Sequence, residues 1–217
     1  MFLISWCTAT ALAASQPVVA MGNGLVASSP GQKPVAEESV PGGWVSVLQD
    51  CLDEGAPGGY SVVDRSVPGE TARTARERVP GVLDLSPRTV VVALGARELG
   101  AESPNPTRFI KDLDKVVDEL REGGTRPSVV VVGMVSPTLE SDADAQAALD
   151  ARTTAWNEAL RTEADGRPGV QHMDLWSTWP RQGPARSGLT RGGWQLSDQG
   201  HARVGAMVCD AVRALAD

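Results

Sequence analysis

A hydroxyl to attack, an imidazole to take its proton and a carboxylate to orient the imidazole would together make an acyl-transfer site. In this chain, the turns where such groups could stand carry other chemistry. The first apolar run, Pro17 to Gly22, is followed by the turn Gly22-Asn23-Gly24-Leu25. Later runs lead into "VPGET", with Gly69, and "ALGARE", with Arg97 beside Glu98. Near the C-terminus, "RGGWQLSDQGHARVG" places Gly192, Trp194 and Gln195 just ahead of Asp198 and His201. Asn23, Gly24, Gly69, Arg97, Trp194 and Gln195 offer backbone N–H groups, amides, a guanidinium and an aromatic face. Those groups suit binding of a carboxylate, sulfate, phosphate, acyl or sugar group. Arg97 has a plainer alternative, a salt bridge with Glu98 or a neighbouring acid. Asp198 and His201 form an Asp-x-x-His pair. With Ser28 or Ser29 of "VASSPGQ" they make up an alternative hydrolytic set.

Elements must hold these residues in place. Five Val-rich runs read as strands: residues 17–22, 60–67, 89–96, 128–137 and 170–176. The third and fourth are apolar throughout, as strands covered on both faces of a parallel sheet must be. Between them lie helical patterns. In "NPTRFIKDLDKVVDELREGG", Phe109/Ile110, Leu113, Val116/Val117 and Leu120 recur at three and four residues, with Pro106 suited to the first turn and Gly123-Gly124 to the stop. "SDADAQAALDARTTAWNEALRTEADG" repeats the pattern behind Ser141 as expected N-cap, and Ser197 caps the last helix. Helices also fit "GWVSVLQDCLDEG" and "ETARTARERVPGVLDL", the latter interrupted at Pro80. Strand alternating with helix predicts a three-layer α/β/α sandwich on a five-stranded, mainly parallel sheet, flavodoxin-like, with its site at the carboxyl ends of the strands. The Pro/Gly/Ser-rich stretch after the first strand then lies beside that site.

Composition bounds the partners. A 217-residue chain of net charge −7, without a Lys/Arg stripe, argues against nucleic acid as a partner. No apolar stretch reaches the roughly 18 residues of a membrane span. A small molecule or a protein remains as the expected partner. Two His and three Cys spread along the chain predict no metal cluster, and "GNG" lacks the continuation of a nucleotide loop, so no cofactor is expected. His172 reads as a half-buried strand residue. Trp176, Trp179 and Trp194 are expected either to flank the pocket or to close the core. Residues 1–15 look like an export signal lacking its basic start, ahead of one domain over 16–217, and Trp6 before Cys7 fits lipidation poorly. Cys51 and Cys209 are then an even pair in an exported protein and a disulfide candidate.

The blocks at Gly22-Asn23-Gly24-Leu25, "VPGET", "ALGARE" and "LSDQGHARVG", in that order over about residues 17–216, resemble the SGNH hydrolases, also called GDSL esterases/lipases. In that family the first block carries the nucleophilic Ser, and the matching residue here is Gly24. The second supplies a glycine N–H to the oxyanion hole, matched by Gly69. The third supplies an Asn, where this chain has Arg97. The fourth is Asp-x-x-His ahead of Leu-Ser-x-x-Gly. With Leu196 to Gly200 setting the register, Gly192 stands for the Asp and Gln195 for the His. The resemblance therefore implies the fold of an ester hydrolase whose reacting side chains are replaced, and a site that binds or regulates. It also implies that the first and last helices pack on one side of the sheet, bringing Cys51 and Cys209 into neighbouring layers.

Overall fold

A computed structural model of the chain describes residues 15–22, 43–138, 142–181, 186–191 and 195–215. The order is β1 (Gln16–Gly22), α1 (Gly43–Gly55), β2 (Tyr60–Ser66), α2 (Ala72–Arg76), α3 (Val79–Leu83), β3 (Thr89–Ala93), α4 (Ala96–Leu99), α5 (Pro106–Glu122), β4 (Ser128–Val132), α6 (Ala143–Ala164), β5 (Val170–Met173), α7 (Leu175–Thr178), β6 (Thr190–Arg191), β7 (Gln195–Leu196) and α8 (Asp198–Ala214). The export signal expected over residues 1–15 lies almost wholly outside the described residues.

Among the described residues, five strands form one sheet in the order β2-β1-β3-β4-β5, every neighbouring pair parallel. The period of two along each strand divides the core. Val18, Ala20, Val91, Ala93, Val130 and Val132 face α1 and α8. Val19, Met21, Val90, Val92, Val129 and Val131 face α2, α3, α5 and α6. Continuous burial of β3 explains why its sequence shows no alternation. On the second face Phe109 of α5 stacks on Trp156 of α6 with ring centroids 5.2 Å apart.

The cap of α8 follows the sequence. Asn105 Oδ1 accepts from Arg108 N–H with Pro106 in the first turn, and Ser197 Oγ accepts from Gly200 N–H. The cap of α6 is Asp142, one residue beyond the expected Ser141, its carboxylate accepting from Ala145 N–H. A carboxylate there also meets the positive end of the helix. The break expected at Pro80 comes earlier, because proline is suited to a first turn and so opens α3. Helices α1 and α8 lie on the same face, and Cys51 and Cys209 form a disulfide between them. Arg213 of α8 adds a hydrogen bond to the Cys51 carbonyl.

Candidate functional site

The carboxyl ends of β1 and β3 are shaped by two glycines. Gly22 has φ +116°, and a Cβ there would stand 2.4 Å from the Ala93 carbonyl oxygen. Gly95 has φ +106°, and its Cβ would meet Met134 Sδ at 2.5 Å and the Phe109 ring at 2.8 Å. Both turns exclude any side chain, on conformation and on space. The Gly22 carbonyl accepts from Val67 N–H at 2.9 Å, tying the end of β1 to the segment after β2.

That segment carries Gly69, and it is clasped from several sides. Buried Glu70 takes two hydrogen bonds from Arg78, both 2.6 Å. Thr71 and Thr74 form a capping box on α2. Glu98 Oε1 accepts from Ala72 N–H at 2.7 Å, bridging α4 to the start of α2. The consequence is proximity: a Cβ at Gly69 would stand 3.4 Å from Arg97 Nη1. Arg97 itself is exposed and makes no salt bridge among the described residues, so the expected ion pair with Glu98 is not formed. Glu98 turns the other way, because Oε1 serves the backbone of α2 while Oε2 is buried without a partner. Burial pushes the Glu98 carboxyl above the ordinary range, only partly offset by the Ala72 N–H, its own N–H and the nearby Arg97.

On the far side of β3 a second network holds the segment after β4. Asn157 of α6 accepts from Met134 N–H at 2.8 Å and donates to the Met134 carbonyl at 2.9 Å. Two residues on, Ser136 donates to Asp150 at 2.6 Å. Arg186 is 3% exposed and closes the cluster: Nη1 and Nη2 reach the two Asp150 oxygens at 2.7 and 2.8 Å, and further bonds go to Ser136 Oγ and to the Pro137 and Arg181 carbonyls. Burial pushes Asp150 up, but hydrogen bonds from Arg186, Ser136 and Gln146 outweigh it and leave the group below the usual carboxylate range.

Arg186 opens the stretch that leads into the β6–β7 hairpin, where Arg191 pairs with half-buried Gln195. Ser197 joins the hairpin to α8 by donating to the Gly188 carbonyl at 2.5 Å and capping the helix. Asp198, the first residue of α8, is exposed. His201 is buried at 3% exposure, and a Cβ on Gly43 at the start of α1 would lie 3.3 Å from its ring. His172 is half-buried on β5, and burial pushes its imidazole below the ordinary range. Trp176 and Trp179 are buried in the core against α1 and α8. Asn23, Gly24, Ser28, Ser29, Gly192 and Trp194 lie outside the described residues.

Of the expected residues, then, the structure brings Gly69 and Arg97 together and sets Gln195 on the hairpin. Sequence reasoning missed Glu70, Asp150, Asn157 and Arg186. Nothing marks Arg186 within "RQGPARSG", while the polar residues of α6 at Asp150, Thr153 and Asn157, spaced three and four apart on an otherwise core-facing stripe, were a readable signal.

The strand order, the flanking helices and the glycine-shaped turns at the carboxyl ends of the strands define the SGNH-hydrolase type of α/β fold. The chain belongs to the GDSL-like lipase/acylhydrolase family, whose model matches residues 21–203. No curated protein matches the chain. Among solved structures it is similar to TesA, with 19% identity, TM-score 0.69 and coverage of 92% of this chain and 99% of that one. It is also similar to a carbohydrate acetylesterase from Sinorhizobium meliloti, with 16% identity, TM-score 0.70 and coverage of 93% and 100%. An acetyl xylan esterase, AlAXEase, matches at 17% identity and TM-score 0.67 over 90% and 99%. At these identities the likeness speaks for the fold.

Proposed function

We propose that this chain is a catalytically silent member of its family that binds a small acylated, anionic or carbohydrate ligand, or regulates a protein partner, through the mouth at the carboxyl ends of β1 and β3. The observation that carries the reading is the exposed Arg97 guanidinium, without a salt bridge among the described residues and set over Gly69 where an ester hydrolase of this family has a neutral amide. A guanidinium recognises a carboxylate, sulfate or phosphate by paired, charge-assisted hydrogen bonds. By the register of Leu196 to Gly200, Gln195 occupies the place of the general base, and an amide does not titrate. Gly24 and Gly192 bring only backbone to the places of nucleophile and acid. Loss of a whole triad costs about 10⁶-fold or more in turnover, with a residual roughly 10³ to 10⁴-fold over water from binding and the oxyanion hole.

The alternative hydrolytic pair is poorly placed for that chemistry. His201 is buried against α1 and Asp198 is exposed, so the imidazole lacks open access to a substrate carbonyl. The disulfide between Cys51 and Cys209 supports export to an oxidising compartment, as proposed for residues 1–15 as signal and 16–217 as one domain.

The test is hydrolysis of short p-nitrophenyl acyl esters by residues 16–217, beside the triple variant Gly24→Ser, Gln195→His, Gly192→Asp. The expected result is an inert parent and a variant that gains turnover. Turnover by the parent at an enzymatic rate, abolished by His201→Ala with folding intact, would replace the reading with that of a rewired esterase.

A further inference from the structure

A second concave site lies between α2 and α5, bordering the Gly69 and Arg97 segment through Thr71 and Glu98. Two cavities, of about 560 and 350 Å³, share Arg73, Arg108 and Asp112 in their walls. The larger adds Arg76, Glu77, Lys115 and Glu119, and the smaller adds Thr71, Glu98, Ser103 and Asn105. Arg108, Asp112 and Lys115 lie at i, i+4 and i+7 on one face of α5, and Arg73 and Arg76 at i and i+3 on α2, so both helices present cations to the same groove.

The pairing within the groove is incomplete. Arg76 and Glu119 satisfy one another at 2.6 Å. Arg108 and Lys115 stand 3.9 Å from the same carboxylate, Asp112, too far for a hydrogen bond to either. The Arg73 side chain makes no hydrogen bond or ion pair among the described residues, and neither does the Glu77 carboxylate. The larger cavity thus carries four cations against three acids and the smaller two against two, on a chain whose net charge is −7. Asn105 spends its Oδ1 on the Arg108 N–H, leaving its amide N–H groups as further donors on the wall of the smaller cavity.

We infer that this groove binds a tetrahedral oxyanion, the phosphate or sulfate group of a small molecule, clamped by Arg73 from α2 and Arg108 from α5 with Lys115 alongside. Guanidinium groups from two elements match the spread of oxygens on such a group, whereas a single carboxylate shared at 3.9 Å neutralises neither Arg108 nor Lys115 well. The size of the cavities fits a small phosphorylated or sulfated molecule. The acidic chain as a whole disfavours a nucleic-acid backbone as the source.

The experiment is titration of the intact chain with inorganic phosphate, inorganic sulfate and a hexose phosphate, followed by amide chemical-shift changes and calorimetry. Saturable shifts are expected on α2 and the first turns of α5, weakened by added salt. Arg73→Gln with Arg108→Gln should weaken binding about tenfold or more, and Arg88→Gln, at an exposed position just ahead of β3, should leave it unchanged. Tighter binding of the hexose phosphate than of inorganic phosphate would assign the organic ester as the source, and the reverse the free ion. Absence of saturable shifts into the millimolar range, or an affinity indifferent to the double variant, would overturn the inference. So would equal weakening by the double variant and by Arg88→Gln, the mark of net charge alone. Loss confined to Arg97→Gln would move the anion to the mouth and support that reading instead. Arg73 and Arg108 are exposed, so the double variant should keep the parent's Tm, and Arg73→Gln alone serves if it does not.

Discussion

Two half-buried carboxylates stand on either side of the site, Glu98 on α4 and Asp150 on α6, and their surroundings treat them in opposite ways. Asp150 meets Arg186, Ser136 and Gln146 and is held in its charged form. Glu98 meets one backbone N–H with Oε1, keeps Oε2 buried without a partner, and is pushed toward its neutral form. The difference teaches what each region is built for. Around β4 the polar groups satisfy one another and lock the segment after the strand to the hairpin that carries Gln195. Around β1 and β3 the glycine turns leave no room for a side chain, but Glu98 keeps an oxygen without a partner and Arg97 is exposed on the same short helix.

The strongest way to break this contrast is to remove one member of the satisfied cluster. Asp150→Ala leaves the Arg186 guanidinium buried without its counter-charge and should cost about 3 kcal/mol or more, read as a lowered urea midpoint. An unchanged midpoint would mean that Arg186 escapes to solvent and that the cluster is not a lock. Gly22→Ala tests the other region through its backbone. The 2.4 Å approach to the Ala93 carbonyl and the left-handed φ predict a loss of about 2 kcal/mol or more in the same measurement.

Isosteric amides sharpen the comparison further. Asp150→Asn should destabilise by about 1–2 kcal/mol, because the charge-assisted bonds from Arg186 weaken. Glu98→Gln keeps the acceptor for Ala72 N–H and removes a half-desolvated charge, so stability at neutral pH should stay within about 0.5 kcal/mol of the parent or rise. Equal losses in the two variants would erase the distinction.

The pH dependence carries the smallest signal, with opposite signs. The raised Glu98 carboxyl imposes its cost above its folded-state pKa, and that cost is relieved as pH falls through this value toward the ordinary 4.5. The lowered Asp150 carboxyl contributes fully above its ordinary 3.8, and that contribution is lost as pH falls below 3.8 through the folded-state value. Denaturation midpoints measured across this range should lose the first effect in Glu98→Gln and the second in Asp150→Asn.

Much of this contrast was hidden in the chain. The glycines at 22, 69 and 95 and the Arg97-Glu98 pair stand out because strands and turns are local and the family's blocks keep their order. What could not be read was which acid meets which cation. Glu98, adjacent to Arg97, reaches instead to Ala72, 26 residues back, and Arg186 reaches Asp150 across 36 residues of chain.

The sequence by itself determined the alternation of strands and helices, the two-sided burial of β3 and β4, the first turn at Pro106, the cap at Ser197, and the residue types, Gly, Gly and Gln, at positions 24, 192 and 195. Those features depend on the period of the apolar residues and on residue type, both written along the chain. Only the tertiary structure decided that Arg97 lies over Gly69, that Arg186 is buried on Asp150, that α2 and α5 enclose a groove, and that Cys51 joins Cys209 across 158 residues. Each of these joins groups distant along the chain, and they meet because packing the helices onto the sheet closes the intervening loops. Hydrogen bonding, desolvation and charge then act between them over a few ångströms.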